Sequence, residues 1–203
     1  YKIRKEMPEV VVLQSHFELY EKFCANLYNI LSEYSDEVEV YSIDECFLNF
    51  TYYDVLKYFN IQSSIECNSI ESEESYDRQE EYLKIENHNV LELIEKYVRE
   101  IKNRVQKDLG ITYSFGVGST KVIAKLASTH NKPNGLCVRL SEQYIQEVYE
   151  TKKIAAVWGI GRKTTEKLMN RKIYTVHEFV NIPENDVIRY FDKPLINIWL
   201  ELK

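Results

Sequence analysis

The spacing of apolar residues changes several times along the chain, and each change marks an element. Val10–Leu13 is a short β-branched run after Pro8 and predicts one buried strand. Ser15 and Glu18 have the spacing of a capping box; behind them Tyr20, Phe23, Leu27, Leu31 and Tyr34 recur every three or four residues, predicting a helix over about 16–34. Val38, Val40, Tyr41 and Ile43, then Cys46 to Phe50, are extended runs on either side of Asp44-Glu45, which predicts a β-hairpin with its acidic pair near the bend. Residues 61–89 are rich in Ser, Glu and Asn and hold no period, predicting a mobile surface insertion. Leu91, Ile94, Val98, Ile101, Val105 and Leu109 mark a long amphipathic helix stopped by Gly110. Ile111, Tyr113, Phe115 and Val117 alternate with Thr112, Ser114, Gly116 and Gly118, the pattern of a strand with one close-packed face. A short helix over about 120–130 and a strand near Leu136–Val138 follow, and beyond Leu140 the pattern supports only short helices and loops.

This order predicts an α+β fold: a mainly antiparallel sheet with helices on one face, ferredoxin-like, followed from about residue 140 by a small all-α unit. A chain of 203 residues with 44% hydrophobic and 29% charged positions is ordinary globular material, which excludes rods, collagen and wholesale disorder. No apolar run approaches the ~20 residues of a membrane span, and the first residues form no export signal. Cys24, Cys46, Cys67 and Cys137 are scattered without a C-x-x-C pair, so neither a disulfide framework nor a zinc site is expected, and the reading is a reducing cytoplasm.

Charge alters the picture only when it is divided. The net charge is −6, yet residues 66–86 alone carry eight acids against Arg78 and Lys84, so the remainder is neutral and free to be polarised. Between Lys152 and Lys172 seven bases accompany the single acid Glu166, a local patch of the kind that phosphate backbones attract.

Three motifs carry chemistry. In Ser42-Ile43-Asp44-Glu45, consecutive acids would point to opposite faces of a straight strand, but at a hairpin bend both can converge on one hard cation such as magnesium, which takes carboxylate oxygens and keeps places for water and phosphate. Alone, the tetrad reads as an acidic turn without chemistry. Lys132 stands in the turn-rich run Thr129–Gly135, where a rigid turn can present an ammonium to a triphosphate or merely to solvent. Val157-Trp-Gly-Ile-Gly-Arg-Lys163 places two glycines before a helical stretch, so that backbone N–H groups at its positive end can meet an anion; a tight interhelical turn has the same pattern. His130 and His177 have no companions at ligand spacing.

Together, Tyr41-Ser-Ile-Asp-Glu-Cys-Phe-Leu48, Ser114-Phe-Gly-Val-Gly-Ser-Thr-Lys-Val-Ile-Ala-Lys-Leu-Ala127, Lys132-Pro-Asn-Gly135 and Val157-Trp-Gly-Ile-Gly161, in this order, resemble a Y-family (translesion, DinB/UmuC-like) DNA polymerase over nearly the whole chain outside the acidic insertion. The resemblance implies a remnant of the fingers over 1–16, a palm over 17–139 and a helix-hairpin-helix thumb over 140–203, with the little-finger domain absent. It implies template-directed nucleotidyl transfer in DNA damage tolerance. Asp44 and Glu45 match the palm acids that ligate catalytic magnesium, Ser42 would lie beside the primer terminus, and Lys132 matches the lysine on the incoming deoxynucleoside triphosphate. Gly159, Ile160 and Gly161, with Arg162 and Lys163, match the thumb hairpin on the DNA backbone. The implied partners are primer-template DNA and, through a region C-terminal to this chain, a sliding clamp. The family's first catalytic aspartate, its steric-gate aromatic and part of its fingers have no counterpart here, so this stretch alone is expected to be inactive. Two rivals are a non-catalytic polymerase-like protein that binds DNA or repair partners, and a nucleotide cyclase, which shares a palm with paired acids but has no use for the Gly-Ile-Gly hairpin.

Overall fold

The computed structural model describes residues 5–59 and 87–203, so the acidic insertion expected at 61–89 lies almost wholly outside the described residues. The chain forms two compact units, dividing between Asn49 and Phe50.

In the first unit, helix α1 (Phe17–Leu31) buries Leu27, Ile30 and Leu31, the inward rows of the expected 3.6-residue period, and rests on strand β1 (Glu37–Ser42). Strand β2 (Glu45–Asn49) returns antiparallel, pairing Val38 with Leu48, Val40 with Cys46 and Ser42 with Glu45. The hairpin is therefore where the pattern put it. Two other expectations fail. Val10–Leu13 is not a strand: Val11 and Leu13 are 80% and 82% exposed, and a β-branched run becomes a strand only where a neighbour supplies ladder partners. The Ser15–Glu18 box does not form either, because His16 is the N-cap and no side chain caps α1.

The second unit begins with α2 (Tyr52–Tyr58), which the pattern had not shown. It starts at a capping box: Thr51 Oγ1 accepts from the Asp54 amide at 3.3 Å and the Asp54 carboxylate accepts from the Thr51 amide at 2.6 Å. Helix α2 packs on the long α3 (Asn87–Leu109), where the buried Tyr97 meets the rings of Phe50, Tyr58 and Phe59 edge to face. Strand β3 (Phe115–Gly118), helix α4 (Lys121–Ser128) and strand β4 (Leu136–Arg139) form a strand–helix–strand crossover, so β4 pairs with β3 in parallel. The mainly antiparallel sheet expected from the sequence is thus corrected: among the described residues there are two two-stranded sheets, one antiparallel and one parallel.

Helices α5 (Glu142–Thr151), α6 (Arg162–Met169), α7 (Val176–Val180), α8 (Glu184–Tyr190) and α9 (Lys193–Leu202), with a 3-10 turn at Ile154–Ala156, supply the expected all-α run. The expected boundary at 140 is not a break in the core, however. Val122, Ile123 and Leu126 of α4 belong to the same buried cluster as Ile154, Leu168, Phe179, Trp199 and Leu202. Polar bonds repeat that union: Thr120 Oγ1 donates to the Glu201 carbonyl at 2.8 Å, and the buried Tyr149 hydroxyl donates to the Leu202 carbonyl at 2.6 Å.

Candidate active site and nucleic-acid interface

In the first unit the link between β1 and β2 is Ile43-Asp44, with Ser42 opposite Glu45 and the register slipping between Val40 and Ser42. That irregularity releases Asp44 and Glu45 from the alternation that would send consecutive side chains to opposite faces. Asp44 is exposed, Glu45 is half-buried, and the Ser42 hydroxyl donates to Asp44 Oδ1 at 2.8 Å. Ser42 therefore orients the carboxylate next to it. Behind the bend, Cys24 on α1 reaches the Ser42 carbonyl with its sulfur at 3.8 Å. Burial, with a smaller contribution from Cys24, pushes the Cys46 thiol up to about 11, so it stays protonated near neutral pH and the anionic donors at the bend are carboxylate oxygens. Two hard oxygen donors suit a magnesium ion, which keeps further positions for water and phosphate. Among the described residues no three His, Cys, Asp or Glu side chains gather into a metal-holding group, so the acids stand as a pair.

In the second unit Lys132 is exposed on the turn between α4 and β4. The turn is held on all sides. Asn134 adopts a left-handed conformation at φ +57° and accepts from Lys102 on α3. The Asn131 amide donates to the Leu136 carbonyl at 3.2 Å, and the Gly135 carbonyl accepts from the Phe115 amide at 2.9 Å. Gly135 is pressed so closely on Asn131 that a Cβ would lie 2.0 Å from its carbonyl oxygen. Lys132 thus projects from a rigid base.

The glycine hairpin differs in detail from the expectation. Gly159 carries the left-handed torsion, φ +87°, whereas Gly161 has φ −78° and open space where a Cβ would stand. The conformational need for glycine in this turn therefore lies at Gly159. Ile160 is buried and its amide donates to the Val157 carbonyl at 3.0 Å, so it anchors the hairpin and has no amide to offer a phosphate. Gly161 is the N-cap of α6 and no side chain caps that helix, which leaves the first-turn amides of Arg162 and Lys163 facing outward at its positive end. The basic cluster is partly spoken for. Arg162 pairs with Glu166 at 3.1 Å in a highly exposed contact, Lys152 donates to the Thr129 carbonyl at 3.3 Å, and Arg171 lies over the Tyr190 ring. Lys153, Lys163, Lys167 and Lys172 are exposed. Sequence reasoning missed Gly159 as the strained position and Tyr190 as a partner of the cluster; torsion and a contact 19 residues apart leave no local signal.

A model of the impB/mucB/samB family matches residues 1–129. Among curated proteins, a DNA polymerase IV of Clostridium perfringens is 28% identical over 92% of this chain, and DNA polymerase IV 1 of Bacillus subtilis is 25% identical over 93% of it. The chain spans only 42% and 37% of these two relatives. Among solved structures, a DinB family error prone DNA polymerase from Sulfolobus solfataricus superposes with a TM-score of 0.69 at 21% identity, over 99% of this chain and 50% of that one. An insertion ternary complex of Dbh DNA polymerase gives 0.69 at 22% identity, over 99% and 48%. At these identities the likeness is one of fold. Among the described residues no helix is long and apolar enough to cross a membrane.

Proposed function

Because the chain belongs to the impB/mucB/samB family, we propose that it is the palm (17–139) and thumb (140–203) of a Y-family DNA polymerase that extends a primer along a template in DNA damage tolerance. The observation that carries this reading is the bend at Ile43-Asp44, which brings two consecutive carboxylates and an orienting serine to one hairpin tip in such a chain. Asp44 and Glu45 would hold magnesium, which when bound stabilises the attacking and leaving oxygens of an in-line displacement at phosphorus. Ser42 keeps Asp44 oriented and would lie beside the primer terminus. Lys132, a point charge on a rigid turn, would grip the triphosphate. Gly161 and the first-turn amides of Arg162 and Lys163 would hold the DNA backbone, with Ile160 as the buried anchor. Primer-template DNA and a deoxynucleoside triphosphate are the substrates in this reading, a sliding clamp is engaged by residues outside this chain, and the cytoplasm is the compartment.

Incorporation that follows the template, assayed with the complete gene product on a primed single strand with magnesium and deoxynucleoside triphosphates, is the expected result. Tight DNA binding without any incorporation would replace this reading with that of a non-catalytic DNA-binding accessory.

The hairpin yields a separate prediction. Gly159→Val forces a β-branched residue into a left-handed torsion, at a cost of about 1–2 kcal/mol in a segment that sets the entry of α6. Duplex affinity should fall by about tenfold, consistent with displacement of a helix N-terminus whose contribution reaches ~2 kcal/mol. Gly161→Ala, with an ordinary torsion and free space, should fold and bind much as wild type. Lys163→Ala should lower the slope of log affinity against log salt by about one. Fluorescence anisotropy across a salt series distinguishes them; equal affinities for Gly159→Val and wild type would make the hairpin a mere interhelical link.

A further inference from the structure

Between one face of α6 with the turn that follows it and the corner joining α8 to α9 lies an open cleft of about 590 Å³. Its volume lies within the ~300–1,000 Å³ of clefts that bury small ligands, enough for one nucleotide. Thr164, Lys167, Asn170, Arg171, Tyr190 and Asp192 supply its polar lining. Tyr190 is 47% exposed, and two guanidinium groups lie against its ring, Arg171 at 4.9 Å and Arg189 at 5.3 Å from the centroid. Arg171 also lies 5.8 Å from the ring of Phe191, which leans on the fully buried Phe179. The aromatic floor is therefore anchored to the core. Lys167 sits one turn beyond Lys163 on the same face of α6, so cations continue from the helix N-terminus to the cleft. Among the described residues the only carboxylate in the lining is Asp192, one of whose oxygens accepts from the Leu195 amide at 3.3 Å as the cap of α9.

We infer that this cleft takes one unpaired nucleotide of single-stranded DNA, its base stacked on the Tyr190 and arginine layer and its phosphate against Lys167 and Arg171. The inference rests on the polymerase reading, in which a single-stranded template is a substrate. Aromatic faces flanked by cations are the combination that holds single strands without regard to sequence, since every base has a π-face and every nucleotide a phosphate. Duplex DNA cannot use the cleft in this way because its bases are already stacked on one another. An acidic peptide would satisfy the cations but leave the ring unused.

The test is fluorescence anisotropy of the whole 203-residue chain with a labelled thymidine oligonucleotide, the same oligonucleotide made abasic at every position, and a blunt duplex. Tyr190→Ala should weaken the thymidine strand by about five- to tenfold, in keeping with ~1–3 kcal/mol per stacked base. It should leave the abasic strand and the blunt duplex unchanged, while Tyr190→Phe, which keeps the ring, binds all three like wild type. Arg171→Gln should weaken both single strands and reduce their salt slope by about one. Single-strand binding by Tyr190→Ala equal to wild type, or an equal loss on all three probes, would overturn the inference. So would failure of the wild-type chain to bind the thymidine strand, even with the duplex held tightly. If the wild type binds no blunt duplex but Tyr190→Ala still weakens the thymidine strand selectively, the cleft stands and the thumb reading of the hairpin falls.

Discussion

Asp44→Ala in the complete gene product is expected to slow primer extension by on the order of 10³-fold or more, the scale on which loss of one charge-stabilising group in a reacting site is felt. The side chain sits at the hairpin tip, exposed, and accepts from Ser42 at 2.8 Å. Its removal deletes one of two adjacent carboxylates that would hold dications against a triphosphate, and nothing in the fold depends on it, since it lies in a turn outside the buried core. Unfolding midpoint should therefore be unchanged. Duplex affinity should stay within about twofold of wild type, because phosphate grip comes from cations and amides elsewhere. Glu45→Gln should act in the same direction. Ser42→Ala should cost less, because it loosens the orientation of Asp44 without removing a charge. Extension by Asp44→Ala at a rate near that of wild type would remove this residue from the site.

The largest structural effect is expected at Gly116. A Cβ there would stand 2.1 Å from the Ala124 carbonyl oxygen and 2.2 Å from the Ser128 amide nitrogen, both backbone atoms of the crossover helix α4. Side chains can rotate away from an intruding methyl; a helix backbone cannot without parting from β3. Overpacking in a well-packed core costs about 1–3 kcal/mol where side chains can yield, so Gly116→Ala should cost at least about 3 kcal/mol. Val122, Ile123 and Leu126 on α4 also belong to the core shared with the C-terminal helices, so the damage should spread through the second unit. Denaturant unfolding measures it: a midpoint close to wild type would mean that β3 and α4 are not in contact as described. Gly161→Ala is the internal control, having open space at the same kind of substitution.

These expectations show where local pattern suffices. The alternation of Gly116 and Gly118 with Phe115 and Val117 already announced a close-packed face, because only a backbone approaching to contact needs every second side chain removed. What approaches could not be read. It is α4 from the same crossover, a consequence of parallel pairing between residues 21 positions apart. Caps divide the same way. Ser15–Glu18, Thr51–Asp54 and Thr175–Glu178 share one spacing, yet reciprocal boxes form only at the last two, because the N-cap of α1 falls on His16. A cap needs the residue at the right torsion, and where a helix starts is settled by what its apolar face can cover.

The sequence by itself determined the period of the two long helices α1 and α3, the hairpin with its acids at the bend, the basic run beside a pair of glycines, and through four ordered motifs the resemblance to a family. All of these are carried by neighbours in the chain, where side-chain spacing and turn chemistry act directly. Only the tertiary structure decided that Val10–Leu13 is not a strand, that β3 and β4 run parallel, that the glycine of special torsion is Gly159, and that Arg171 is drawn onto Tyr190. Strand pairing, backbone torsion and the availability of a charge each depend on partners distant in sequence, and free energy from such contacts overrides the propensity of any short segment.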